Sequence, residues 1–441
     1  MVNETAGLGK ELYGLATRLF PITRSLTGPG LRETLAILAE TTGPIETHRW
    51  PTGAQVFDWT IPDEWTFREA WIKDGWGRKV LDSAECNLHV LGYSEPVHRR
   101  LSLDELRGHL HTIPELPHAI PYVTSYYARR WGFCLEHERL RDLPDGEYEV
   151  LIDADLEPGN VELGEVVLPG ESDEEVLFST YVCHPSLAND GLSGPVIAAQ
   201  LAGLLRDRPR RRLTYRFVFV PEVIGAIAYL SRVGDQLRER LAAGYVITCA
   251  GDPGAFTYKR SRRGDTLADR AAEHVLRESR TVHSVVDFFP SGSDERQYCS
   301  PGFDLPVGSL MRTMYATSPV YHTSLDNLGF ITAKALEETL AMYAAVVDVL
   351  EANETLSATV THGEPQLGRR GLDPTLDSAR ETEEKVADMM WLLNMCEGTR
   401  DLLAVAEYAG RPVAALAPIA AELKAAGLLQ AADPRPHKST N

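Results

Sequence analysis

The chain has 441 residues, 44% of them apolar and 24% charged, with a formal net charge of -19. That length accommodates two or three domains with sizeable cores, and the acidic balance opposes non-specific attraction to phosphate backbones and anionic membranes. Six cysteines without any Cys-x-x-Cys spacing, no apolar run approaching ~18 residues and a start without basic or apolar leader regions predict a reduced, cytoplasmic protein acting on a small partner.

Leu12, Ala16, Leu19 and Phe20, and after the break at Ser25–Gly30 the group Leu31, Leu35, Ile37 and Leu38, recur at helical spacing and predict two opening helices. From about Glu46 to Gly170 the chain becomes Trp-rich and punctuated by Pro and Gly, which suggests a small inserted β domain over 46–130. An alternating pattern begins at Glu175. Strands over 175–183, 213–220, 244–249, 284–288 and 305–311 are interleaved with helices, and the helix 333–352 closes the unit. The expected fold is therefore α/β, a mostly parallel sheet flanked by helices, built from residues 1–45 and 131–353. A polar linker to about Thr382 precedes three helix-like segments at 384–396, 400–408 and 412–426, with Gly427-Leu-Leu429 as the start of a wing. This winged-helix-like module, 369–435, usually suggests DNA. Residues 369–430 carry seven basic and ten acidic side chains, however, and Val413–Lys424 offers almost nothing to hydrogen-bond bases. It reads as a packing or homo-oligomerisation module, with no nucleic-acid or membrane partner.

In an open parallel sheet, ligands collect beyond the carboxyl ends of the strands. Here all five predicted exits are polar: His184 and Asp190; Pro221-Glu222; Gly251-Asp252; Ser291-Gly-Ser-Asp-Glu295; and Arg312 with Tyr321-His-Thr-Ser-Leu-Asp326. Imidazole and carboxylate are donors that zinc prefers, and the five residues between His184 and Asp190 let both turn onto one ion. The plainer alternative makes His184 a strand terminator and Asp190 a helix N-cap ahead of Gly191.

The order His-(x5)-Asp-Gly-x-Ser-Gly, then strand-Pro-Glu-x-Ile-Gly, then Ser-Asp, then Tyr-His-Thr resembles the M28 family of zinc aminopeptidases. The longer stretches Gly292–Gly302 and Tyr321–Asn327 resemble the aminopeptidase-like branch that joins this domain to an inserted β domain and a C-terminal winged helix. The resemblance covers essentially the whole chain. It implies that His184 and His322 are metal ligands, that Asp190 is the carboxylate able to bridge two ions, and that Glu222 lies in the segment of the family's paired glutamates. The chain departs from the family where Pro221 replaces one of those glutamates, Thr248-Cys249 stands where a further aspartate ligand would end the third strand, and Ser293-Asp294-Glu295 replaces Ser-Asp-His. One zinc is therefore expected rather than two.

Two arrangements fit these residues. In the first, His184, Asp190 and His322 hold zinc while Glu222 moves the proton. In the second, Asp190, Glu222 and His322 are the ligands and Asp294 or Glu295 is the base. Alternatively, Glu222 is a structural acid paired with Arg260 or Arg312. Arg312 offers a fork for a substrate carboxylate, Tyr315 or Tyr321 a hydroxyl for the scissile carbonyl, and Asp252, Asp287 or Asp294 a counter-ion for a substrate amine. The expected activity is zinc-dependent hydrolysis of an amide in an aminoacyl or peptide-like small molecule, compatible with a biosynthetic pathway. A single-zinc acyl transferase or cyclase and a non-catalytic pseudo-peptidase are the rival readings.

Overall fold

In a computed structural model, which describes residues 1–372 and 379–432, the run Glu175–Tyr181 is a strand buried along its whole length. Its continuous apolar and β-branched character suits the middle of a sheet covered on both faces. The eight-stranded sheet comprises β1 (Glu46–Pro51), β2 (Asn160–Leu168), β3 (Glu175–Tyr181), β4 (Thr214–Val220), β5 (Leu241–Val246), β6 (Phe256–Lys259), β7 (His283–Val286) and β8 (Val307–Met311). The spatial order is β1-β2-β4-β3-β5-β8-β6-β7. The central strands β4, β3, β5 and β8 are mutually parallel, whereas β1, β2 and β6 each pair antiparallel with a neighbour. The chain steps from β3 to β4 on one side and then to β5 on the other. The carboxyl end of β3 is thus a topological switch point, where an open sheet leaves a crevice.

Helices α1 (Gly9–Leu19), α2 (Pro29–Thr42), α3 (Ser193–Asp207), α4 (Ile224–Arg240), α5 (Leu267–Ser279), the single turn α6 (Glu295–Tyr298) and α7 (Ala333–Ala352) complete the α/β architecture. The expected first five helices of this domain and the closing helix all form. The fourth predicted exit has a different basis from the one anticipated. β7 is parallel to β6, and β6 is antiparallel to β8, so the carboxyl end of β7 points away from the crevice. The segment after β7 must return along the sheet to bring Asp294 and Glu295 to the rim.

The inserted region also differs from its expected limits. Its four-stranded antiparallel sheet, in the order Lys79–Asp82, Glu64–Lys73, Glu147–Glu157, Val97–Ser102, recruits a strand from beyond residue 130, while Glu46–Pro51 joins the main sheet as β1. The two sheets share one apolar core containing Trp50, Trp65, Ile72, Tyr181 and Val218. The insertion is therefore fused to the main domain through common packing.

The chain divides into two compact units: residues 2–269 with 281–343, and Met1, 270–280 and 344–441. The second unit holds α8 (Ala379–Met395), α9 (Leu402–Ala409) and α10 (Val413–Ala425) with a three-stranded antiparallel sheet in the order Glu397–Asp401, Thr355–Ala358, Leu429–Ala431. The strand Thr355–Ala358 falls in the expected linker, because β pairing with two sequence-distant partners leaves no local signature. Residues 373–378 of that linker, and 433–435 at the end of the expected module, lie outside the described residues. Asp401 caps α9 through Ala404 N–H (2.8 Å) and also takes the Arg270 guanidinium (2.9 Å), so one carboxylate ties α5 to α9 inside this unit. Among the described residues no helix is long and apolar enough to cross a membrane.

A buried ion-pair chain holds the β2-β4-β3 part of the sheet. Arg216 on β4 is only 5% exposed, and its guanidinium bonds Glu175 on β3 (2.8 Å) and Glu165 on β2. Breaking such a pair strands buried charge. Arg216→Ala is expected to lower the unfolding free energy by about 3–5 kcal/mol, read from chemical-denaturation midpoints; a change below ~1 kcal/mol would contradict this account.

Candidate metal centre

The loop leaving β3, residues 182–192, is buried throughout, so its polar backbone groups need partners. Asp326 supplies two: its carboxylate oxygens accept the N–H groups of Asn189 (2.7 Å) and Asp190 (2.9 Å). Asn189 Oδ1 in turn accepts from Gly251 N (2.7 Å) and Asp252 N (3.1 Å). Arg24, itself buried, donates Nε to the His184 carbonyl (2.9 Å) and Nη1 to that of Leu19 (2.5 Å). Gly191 is required by this compaction, since a Cβ there would lie 2.8 Å from His184 Cβ and 2.9 Å from the Leu187 carbonyl oxygen. Asp190 is not a helix cap. The residue before α3 is Leu192, without a side-chain cap, and the Asp190 carboxylate turns into the crevice.

There the three predicted ligands converge. Asp190 Oδ2 lies 3.1 Å from His322 Nε2 and 3.9 Å from His184 Nε2, and one donor atom from each of the three residues lies within 4.8 Å of the others. Tetrahedral donors about 2.1 Å from a zinc ion would be roughly 3.4 Å apart, so the spacing brackets the expected value. Asp190 Oδ2 and His322 Nε2 are both buried without a hydrogen-bond partner despite their proximity. A native interior rarely leaves such atoms unsatisfied, and an ion between them would satisfy both. The donor set thus fits zinc.

Aromatic packing fixes the imidazoles. Tyr122 lies against both rings, with centroids 5.0 Å from His184 and 5.2 Å from His322, and Tyr321 stacks on His322 at 3.9 Å. Tyr122 belongs to the inserted region, whose segment 120–122 pairs with 322–324 through Tyr122 N–H to the His322 carbonyl (2.8 Å) and Ser324 N–H to that of Ile120 (2.8 Å). Asp190 Oδ1 faces the other way. It accepts a short hydrogen bond from Tyr181 OH, which also meets Thr248 Oγ1 at 2.5 Å. The position where the family resemblance looks for an aspartate is thus part of a hydroxyl chain that occupies one oxygen of Asp190.

Glu222 follows β4, with its Oε2 3.5 Å from His184 Nε2 and its side chain partly exposed (22%). The next residue, Val223, has φ 65° and ψ -77°, and Ile224 N–H donates to the Glu222 carbonyl (2.8 Å), a γ-turn of the rarer hand. Such strain in a β-branched residue persists only where surroundings impose it. Part of that imposition is Asp294, whose Oδ1 accepts Val223 N–H at 2.8 Å while its buried Oδ2 has no partner. Ser186, Cys249 and His322 also have positive φ, so four strained residues ring the site.

The electrostatics follow from burial. Desolvation lowers the His184 pKa to about 4, leaving the ring neutral and able to ligate. For Asp190, burial alone would push upward, but His184, His322 and Tyr181 hold it at about 2. Burial, reinforced by Asp294 and Asp190, drives Glu222 well above the usual carboxylate range, and burial brings Asp294 to about 7. A nearby divalent cation would favour the ionised forms of both.

Several expectations need correction. Arg312 is 6% exposed and committed to the fold: Nε bonds the Gly254 carbonyl (3.0 Å), and Nη1 bonds Glu338 (3.1 Å) and the Ala335 carbonyl (3.3 Å). It has no open fork for a substrate carboxylate. Glu222 pairs with neither Arg260 nor Arg312. Asp252 is occupied by Asn189 and Thr313, and Asp287 is 87% exposed and paired with Arg260. Of the three amine counter-ion candidates, Asp294 alone retains an unpartnered buried oxygen at the rim. Tyr315 bonds Lys259 (2.8 Å) and Glu295 (3.0 Å) in a buried cluster, while Tyr321 lines a small recess of about 10 Å³ beside Asp190, with Cys249, Met314 and Phe330. Sequence reasoning missed Tyr122, Asn189, Arg24 and the bracing role of Asp326; of these Asn189, directly before Asp190, and Asp326, four residues after His322, lay close enough to a motif to be suspected.

A second cluster, Glu46, His48 and Glu165, also has ligand-like spacing. Glu165 is already bonded by Arg216, Tyr229 and His48, and the Arg232 guanidinium lies 2.9 Å from His48 Nδ1. That cation opposes a metal there.

Residues 13–353 match the family described as Domain of unknown function (DUF4910), and residues 354–431 match a winged helix-turn-helix family. A Clostridium acetobutylicum relative, provisionally named a polysaccharide biosynthesis protein with aminopeptidase-like domain, is 43% identical over 409 residues, covering 93% of each chain. A crystal structure from the same organism, provisionally described as a peptidase, has 42% identity and a TM-score of 0.91, covering 98% of both chains. The zinc aminopeptidase BSAP of Bacillus subtilis shares 12% identity with a TM-score of 0.55, over 77% of this chain and 94% of its own. The fold is that of the M28-type aminopeptidases joined to a C-terminal winged helix.

Because folding drops the His184 pKa from 6.5 to about 4, the unfolded chain binds the extra proton between those values. In chelator-treated protein the stabilisation is complete above about pH 6.5 and lost as pH falls to about 4, a change of about 3 kcal/mol. Glu222 and Asp294, raised by burial, titrate in the opposite sense, so the check is the difference between wild-type and His184→Gln denaturation curves: the wild type should gain stability relative to the variant as pH rises from about 4 to 6.5, and a pH-independent difference would refute the assignment.

Proposed function

The chain belongs to the DUF4910 family, and we propose that it is a zinc-dependent, aminopeptidase-like hydrolase cleaving an amide in an aminoacyl or peptide-like small molecule. The carrying observation is the convergence of three donors, two of them unsatisfied buried atoms, beside a carboxylate that is not needed to complete the set. His184, Asp190 and His322 would hold the ion. Zinc bound there would supply Lewis acidity toward a carbonyl oxygen and toward water.

Glu222 then has a free carboxylate next to the ligands, suited to take a proton from water and return it to the leaving amine. Its raised pKa favours the second half of that cycle, and the cation's charge would favour the first. Asp294 Oδ2, buried and unpartnered behind Glu222, suits a substrate ammonium. One ion is favoured over two because Asp190 Oδ1 is occupied by Tyr181 and Thr248 provides no carboxylate. The name of the Clostridium acetobutylicum relative supports a place in polysaccharide biosynthesis. The winged helix is read as a packing or oligomerisation module: the exposed residues of α10 include Ala414, Pro418, Ala421 and Ala425, none able to hydrogen-bond base edges.

Elemental analysis of the purified chain is expected to give one zinc per protomer, with chelator-sensitive turnover on a panel of aminoacyl amides. Glu222→Gln should retain zinc and lose about 10²–10⁴-fold in kcat. Loss of zinc in that variant would make Glu222 a ligand instead, and zinc without turnover on any amide would overturn the hydrolase reading.

A further inference from the structure

Arg296 is the unexplained cation of the rim. It lies in α6, two residues after Asp294, and is half-buried. Among the described residues it makes no hydrogen bond and no ion pair, although its charge acts on Glu222, Asp294 and Lys259. Of the other arginines near the site, Arg312 is committed to Gly254, Ala335 and Glu338, and Arg24 holds two backbone carbonyls while its Nη2 is sealed in the interior, away from the rim.

A structural counter-ion would be expected to bond the acids around it. Asp294 Oδ2 and Glu295 Oε2 are instead buried without a partner, and Glu295 Oε1 is bonded by Lys259 at 2.6 Å, so the local neutralising cation is the lysine. That leaves a half-buried guanidinium on the turn that carries Asp294, without a hydrogen bond among the described residues and with its charge felt by the candidate base. In a chain of net charge -19, a cation kept unpaired at such a place selects for an incoming anion.

We propose that Arg296 binds an anionic group, carboxylate or phosphate, carried by the substrate, and so takes the role that Arg312 cannot fill. The inference rests on the hydrolase reading for the word substrate, but its test requires no turnover. The specificity it implies is for acids over their neutral amides. A planar fork on an oxyanion is directional, so lysine would restore only part of the preference.

The test is equilibrium binding of phenylalanine, phenylalaninamide and phenyl phosphate to the chelator-treated full chain, where the amide is not turned over and no zinc competes for the acids, compared with Arg296→Gln and Arg296→Lys. The wild type is expected to prefer at least one acid over the amide. Arg296→Gln should weaken that acid about tenfold or more while leaving the amide unchanged, and Arg296→Lys should fall between; whichever acid responds identifies the group. Equal losses for acid and amide would show a structural residue and overturn the proposal, as would unchanged acid affinity or a wild type without acid preference. If Arg296→Gln does not fold, the same comparison on Arg296→Lys decides. Absence of turnover with this binding pattern intact would sink only the hydrolase reading.

Discussion

The centre depends on how the Asp190 carboxylate is divided. One oxygen is bonded inward by Tyr181 and the other is left bare between two imidazoles. Inside a buried loop an unpaired carboxylate oxygen is expensive unless a cation or proton offsets it. The bracing around it is correspondingly dense. Asp326 holds the backbone of residues 189 and 190, Asn189 ties that turn to Gly251 and Asp252, and Arg24 holds the carbonyl of His184. These residues set where the donor atoms lie without touching any ligand.

The same division limits the chemistry. A carboxylate that bridges two ions needs both oxygens, and here Tyr181 and Thr248 form a hydroxyl chain over one of them. His184, Asp190 and His322 meet at this switch point, and Thr248 presents a hydroxyl where a carboxylate would complete a second set of donors. Glu222 stands just outside the triad on a strained γ-turn, and Asp294 holds that turn through Val223. Strain of this kind is a feature of sites in which a side chain must be aimed against local backbone preference.

The inserted region contributes more than bulk. Its segment at residues 120–122 pairs with the backbone of His322–Ser324, and Tyr122 packs against both imidazole rings. A histidine whose own φ is 57° would otherwise have little to hold its ring in one orientation. The insertion and the α/β domain therefore form one structural unit, consistent with their common core and with the family match spanning both without a break.

The sequence by itself determined the layered α/β class, the helices and strands from Glu175 onward other than β6, α6 and the strand Thr355–Ala358, the C-terminal helices and the meeting of His184, Asp190 and His322. Those features have local causes: hydrophobic period, turn residues, and donor residues placed just after buried strands. Only the tertiary structure decided that Arg312 is locked into the fold, that Tyr122 and Asp326 hold the site, and that Arg296 has no partner among the described residues. Strand Thr355–Ala358, the reach of Glu147–Glu157 into the inserted sheet and the reversed β7 were likewise invisible, because pairing between distant segments depends on which partner is available in space. A side chain's availability for chemistry is a property of its neighbours, and neighbours far apart in the chain are specified only once the chain has folded.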